Sequence, residues 1–247
     1  MRAPFHVVIP ARYQSSRFPG KLLMDLNGVS VIERVYRQAL LAQPASIVVA
    51  TDHPQIVEHV RTFNAEVMMT DASHQSGTDR IAEVVAKGDY GSEDIIVNVQ
   101  GDEPFIAPEL IQQVAGRLSL SKAPVATLCW PITSDDLMQN PNVVKVIRNK
   151  VNQALYFSRA GIPHHRDSSS SYTGAYRHIG LYAYRAAFLL DFVNWPVCEL
   201  EAYEALEQLR ILWQGHPMDV EEACVEPLQD INTKEDLLRA RQLLTAI

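Results

Sequence analysis

An α/β fold with a mostly parallel sheet is what this sequence predicts, and three observations predict it. Strand-like and helix-like segments alternate through the first half of the chain, the order that builds parallel sheets with right-handed crossovers. The strand runs, such as Val7-Val8-Ile9 and Ile47-Val48-Val49-Ala50, are apolar without polar alternation, as strands buried on both faces are. Polar loops follow the first and fourth runs, where open α/β sheets bind ligands.

The elements follow in order. The first strand ends at Pro10 and opens into a loop carrying Ser15, Ser16 and Gly20 among Arg12, Arg17 and Lys21. Ser30 to Gln43 reads as a helix, with Ser30 and Glu33 as a capping box and Val31, Val35, Ala39 and Ala42 on one face. The second strand, Ile47 to Ala50, is followed by a helix from Pro54 to Phe63, with proline at a tolerated first-turn position. Glu66 to Thr70 is a short strand and Thr78 to Lys87 a helix. Ile95 to Val99 is a fourth strand, followed by Gln100-Gly101-Asp102-Glu103 and a helix from Pro108 to Leu120. Beyond it, strands are expected at Val125–Trp130, Val143–Arg148, Ala154–Phe157 and Ile179–Tyr184, and helices at Ala186–Trp195 and Leu200–Trp213. Residues 166–176, with four consecutive serines, read as a mobile surface loop, and Thr233 caps a last helix running to Ala246. No repeat or clean linker divides the 247 residues, so one domain is expected: a first half over 1–120, a second over 121–215, and a return to the core over 216–247.

Composition narrows the function. The formal net charge is −7, so a basic loop on this acidic body points to one local anionic ligand rather than a nucleic-acid face. No apolar run approaches the roughly 20 residues that span a bilayer, and the N-terminus has no long apolar stretch before a small-residue cleavage site. Cys129, Cys198 and Cys224 are far apart and in no metal-ligand spacing, which fits a reduced, cytoplasmic protein. No G-x-G-x-x-G follows the first strand, which argues against a dinucleotide-dependent dehydrogenase.

The loop cations suit a polyphosphate, because arginine grips phosphate bidentately and lysine acts as a point charge. Asp102, after the fourth strand, stands at the same sheet edge as Arg12, Arg17 and Lys21. A single carboxylate with phosphate oxygens is a common way to hold Mg2+. Gly101 would let backbone approach a ligand closely, and Gln100 would lie beside it. Ser76, Gly77 and Arg80 fall at a strand–helix junction, where free N–H groups meet anions or polar edges; plain helix capping explains Ser76 and Gly77 as well.

Seven segments carry a family resemblance: IPARYQSSRFPGK, ATDH at 50–53, HQSGTDR at 74–80, NVQGDEP at 98–104, ALYFSRAGIP at 154–163, RHIGLYAY at 177–184 and LEQLR at 206–210. In that order, over nearly the whole chain, they resemble the 3-deoxy-manno-octulosonate (Kdo) cytidylyltransferases. The resemblance implies a Rossmann-like nucleotidyltransferase fold, a Mg2+ requirement, a homodimer, and CMP transfer from CTP to Kdo for lipopolysaccharide synthesis. It places Pro10, Ala11, Ser15, Ser76, Gly77, Arg80 and Gln100 at the cytosine nucleotide. Arg12, Arg17, Lys21 and Asp102 become the catalytic set, and Gln100, Arg159, His178, Tyr182, Glu207 and Gln208 the sugar site. On the residues alone, His178 also reads as a core histidine and Glu207 as a solvated helix face. Two other readings stay open: a cytidylyltransferase for sialic acid, and a non-catalytic nucleotide-binding relative.

One departure stands out. The family commonly carries an aspartate, a second magnesium ligand, in a VDTPEDL-like motif. Here the run is Ile231-Asn232-Thr233-Lys234-Glu235-Asp236-Leu237, so Asn232 holds that position. Its amide oxygen can bind magnesium without adding charge, and Asp230 is the substitute two residues earlier.

Overall fold

The computed structural model describes residues 3–14, 18–167, 174–228 and 230–245. Ser15, Ser16, Arg17, the serine run and Ala246 lie outside them. In chain order the strands and helices are β1 (Phe5–Ala11), α1 (Val31–Leu41), β2 (Ser46–Thr51), α2 (Pro54–Thr62), β3 (Glu66–Met69), α3 (Gly77–Lys87), β4 (Ile95–Asn98) and α4 (Pro108–Ser119). There follow β5 (Val125–Pro131), α5 (Asp135–Gln139), β6 (Lys145–Arg148), β7 (Ala154–Ser158), β8 (Tyr176–Arg185), α6 (Ala186–Phe192), α7 (Glu199–Glu204), α8 (Leu209–Trp213), β9 (Met218–Glu222) and α9 (Lys234–Thr245).

These strands form one mixed sheet in the order β3-β2-β1-β4-β8-β5-β9, with β6 and β7 attached at β8. The first four are parallel, as the alternating pattern requires. Strand β8 runs antiparallel to both β4 and β5 and joins the two halves. Alternate side chains of each buried strand feed opposite cores. Val7, Ile9, Val49 and Val97 pack with α1, α2, α4 and α9. Val8, Val48, Ala50 and Ile96 pack with α3, α6 and α8 on the other face. Burial on both faces is why these runs carry no polar alternation.

Two local readings are corrected. Ser30 does cap α1, accepting from Glu33 N at 3.2 Å, but Glu33 pairs with Arg37 instead of closing a capping box. The full box lies at α3, between Ser76 and Asp79. The helix expected over Leu200–Trp213 is two short helices, broken where Ala205 takes a left-handed conformation with φ of 49°. Strand β9 and helix α5 do not follow from the sequence pattern. Among the described residues no helix is long and apolar enough to cross a membrane.

Candidate functional site

β1 lies between β2 and β4, so the chain departs in opposite directions from the carboxyl ends of β1 and β4. Open α/β sheets bind ligands at such a switch point. The two strand ends approach closely here. A Cβ on Gly101 would lie 2.9 Å from the Pro10 carbonyl, so only glycine fits without backbone movement.

A cleft of about 320 Å3 opens at this edge, lined by Pro10, Arg12, Lys21, Gln100, Gly101 and Asp102. Arg12 Nη2 donates to the His74 carbonyl at 3.0 Å; its Nε is buried with no partner among the described residues. Gly20 turns the loop with φ of 71° and starts the short 3-10 helix Lys21–Leu23, which buries Lys21 at the cleft floor. Lys21 Nζ donates to Asp102 Oδ2 at 2.5 Å, to the Ile231 carbonyl at 2.9 Å and to Asn232 Oδ1 at 3.4 Å. The segment before α9 is thereby docked on the Asp102 loop, and Ile231 N returns a bond to the Asp102 carbonyl at 2.9 Å. Asn232 donates its amide to Asp230, whose carboxyl is raised by burial and then by the Asp102 charge. Burial, then Asp102 and Asp230, pushes Glu103 up to about 8. The carboxylates Asp102 and Asp230 and the Asn232 amide oxygen are a hard oxygen set of the kind a divalent cation takes. Among the described residues no three His, Cys, Asp or Glu side chains converge as a ready-made metal cage.

Gly77 and Gln100 also line a second cavity of about 200 Å3, with Asn98, Tyr182, Tyr184, Glu207 and Gln208. Among the described residues no cation lines it. Burial keeps the hydroxyls of Tyr182 and Tyr184 protonated well above the usual range, and Glu207 adds to it. Glu207 accepts from Thr78 Oγ1 at 3.1 Å and Ser76 Oγ at 3.4 Å, and burial raises its carboxyl. Glu207 and Gln208 sit in the turn between α7 and α8, not on a helix face; the break at Ala205 aims them inward.

Three expected contacts fall elsewhere. Arg80 is fully buried and gives its guanidinium to Asp52 Oδ2 at 2.8 Å and to Thr70, so it joins α3 to the ends of β2 and β3 rather than lining either cavity. Arg159 donates to the carbonyls of Glu204, Pro141 and Ala205 at 2.6, 2.9 and 3.1 Å. Its side chain holds the α7–α8 segment and does not line the cavity. His178 is half-buried and does not line the cavity; its ring is 5.2 Å from that of Tyr182, and desolvation lowers its pKa to about 3. Thr127 Oγ1 has one proton and two carbonyls within reach, those of Leu181 at 2.8 Å and Ile179 at 3.0 Å, so it accepts from His178 Nε2–H at 3.0 Å. Ser15 and Arg17 lie outside the described residues. The residues that sequence reasoning missed are Asn98, Thr78 and Tyr184. The one available signal was an asparagine closing the apolar strand Ile95–Asn98.

Known proteins share this sequence and fold. The cytidylyltransferase family model matches residues 6–224. A 3-deoxy-manno-octulosonate cytidylyltransferase of Legionella pneumophila (strain Lens) is 67% identical over 238 residues, which cover 96% of this chain and 95% of that one. One of Haemophilus ducreyi is 48% identical, covering 98% of each. A solved CMP:2-keto-3-deoxy-manno-octonic acid synthetase in complex with CTP superposes with a TM-score of 0.91 at 38% identity, over 99% of each chain. A 4-diphosphocytidyl-2C-methyl-D-erythritol synthase from Anaerococcus prevotii shares the fold alone, at a TM-score of 0.65 and 14% identity. On its sequence and its structure alike, the chain belongs to the 3-deoxy-manno-octulosonate cytidylyltransferase family.

Proposed function

We propose that this protein transfers CMP from CTP to the anomeric hydroxyl of Kdo and releases diphosphate, a step serving lipopolysaccharide synthesis in the cytoplasm. One observation carries the reading: a cleft bearing Arg12 and Lys21 adjoins a polar cavity through Gly77 and Gln100. The first suits a triphosphate and the second a polyhydroxylated acceptor, so the acceptor oxygen meets the α-phosphorus at the junction. The oxygen–phosphorus bond forms as the bond to diphosphate breaks, and the sugar proton leaves to solvent or a nearby base. Such chemistry asks the protein mainly for positioning and charge neutralisation. Arg12 and Lys21, with Arg17, would hold the phosphates and balance the charge gathering on diphosphate.

Asp102, with Asp230 and Asn232, would hold Mg2+, and Lys21 would then pass from Asp102 to phosphate oxygen. When bound, the ion supplies charge neutralisation and polarises the acceptor hydroxyl. The same reading includes a homodimer, as the family resemblance implies.

Diphosphate release from CTP and Mg2+ with a panel of sugar acids tests the reading. Release is expected with Kdo and not with sialic acid. Preference for sialic acid would favour the related cytidylyltransferase, and nucleotide binding without release would favour a non-catalytic relative.

A further inference from the structure

Asn98 is the last residue of β4, paired in register with Val8 on one side and Tyr182 on the other. It is 2% exposed, and Ile95, Ile96 and Val97 before it are buried and apolar. Its Oδ1 is buried and has no hydrogen-bond partner among the described residues, although the side chain lines the cavity beside Tyr182, Tyr184, Glu207 and Gln208. Buried polar groups are nearly always paired, because an unpaired one bears its full desolvation penalty. A core position serving stability alone would hold an apolar residue, as the three before it do. The asparagine therefore answers to something that enters the cavity. A carboxamide oxygen only accepts, so the missing partner is a donor. Carboxylate and phosphate oxygens only accept, so neither can be that partner, and the cleft cations Arg12 and Lys21 do not line this cavity. A sugar hydroxyl fits both conditions.

We propose that Asn98 contacts the acceptor directly: its Oδ1 accepts a hydrogen bond from one non-reacting hydroxyl of the sugar acid and selects acceptors that carry it. This rests on the cavity being the acceptor site. A site built to bond a hydroxyl rejects the analogue lacking it, because its own polar group is then left unpaired.

The test is kcat/KM for Kdo and for analogues each lacking one ring or tail hydroxyl, in the parent enzyme, Asn98→Ala and Asn98→Leu. Both variants should lose about 10- to 100-fold on Kdo, the size of one buried hydrogen bond left unmade, with KM for CTP within about twofold. One analogue should be equally poor for the parent, and the variants should no longer distinguish it from Kdo. Asn98→Leu should match or exceed the parent's thermal midpoint, since among the described residues its side chain has no hydrogen bond to lose. Three results would overturn the assignment: kcat/KM for Kdo unchanged, CTP and all acceptors impaired alike, or a midpoint several degrees lower in Asn98→Leu. No diphosphate release by the parent with Kdo would instead remove the acceptor reading, and this proposal with it.

Discussion

His178 shows how burial fixes a protonation state. Thr127, Phe157 and Tyr182 lie against its half-buried ring, and desolvation lowers its pKa from 6.5 to about 3. Between those values the unfolded chain binds a proton that the folded chain does not, so stability is complete above about pH 6.5 and is lost as the pH falls toward 3. The slope from this one group is at most ~1.4 kcal/mol per pH unit. His178→Gln should therefore lose less thermal stability than the parent between pH 7 and 4.5; parallel melting curves would contradict it. Arg159 makes a second case. The family resemblance places it in the sugar site, yet three backbone carbonyls take its guanidinium. Arg159→Ala should lower the thermal midpoint together with Kdo turnover, by ~1–3 kcal/mol of stability, because those carbonyls lose their partners. A fall in Kdo turnover at unchanged stability would restore the direct role. The cations Arg12 and Lys21 were legible in the sequence because the loop directly after a buried strand is where such a sheet receives its ligand, and charges there address that ligand. Asn98 was not, because a lone asparagine reads equally as a turn or a cap.

At the scale of elements, the turn between α7 and α8 decides where Glu207 and Gln208 go. Alanine is a strong helix former, so nothing in the local sequence marks the break at Ala205. Tertiary contacts impose it. Arg210 donates twice to Glu201, at 2.7 and 2.6 Å, and a third time to the Trp195 carbonyl at 3.1 Å, clamping the two helices across the turn. Removing one partner of a buried ion pair strands the other charge, at ~3–5 kcal/mol. Arg210→Met should show a loss on that scale in denaturant unfolding, with KM for Kdo raised more than KM for CTP. A loss below about 1 kcal/mol would deny the clamp, since that is the worth of an exposed pair. At the β1–β4 junction, Gly101→Ala should cost ~1–3 kcal/mol and weaken CTP use, because the added methyl meets the Pro10 carbonyl. Unchanged kinetics with CTP would mean that the loop yields freely.

For the whole molecule, the parallel half was readable because alternating apolar strands and amphipathic helices have one common solution. The second half was less so. The direction of β8 depends on which strands it joins, not on its own residues, and Met218–Glu222 mixes acids with apolar side chains too evenly to announce the strand that flanks β5 at the end of the sheet order. The resulting architecture sets two compartments side by side, sharing Gly77 and Gln100; the proposed function gives one to the phosphates and the other to the acceptor. Steady-state kinetics of Lys21→Met and Glu207→Gln, each titrated separately in CTP and in Kdo, test that division most directly. Lys21→Met should impair CTP use and diphosphate formation with little change in KM for Kdo. Glu207→Gln should raise KM for Kdo at least about tenfold, the worth of one charge-assisted hydrogen bond, with KM for CTP nearly unchanged. Equal effects of either substitution on both substrates would contradict two separate compartments.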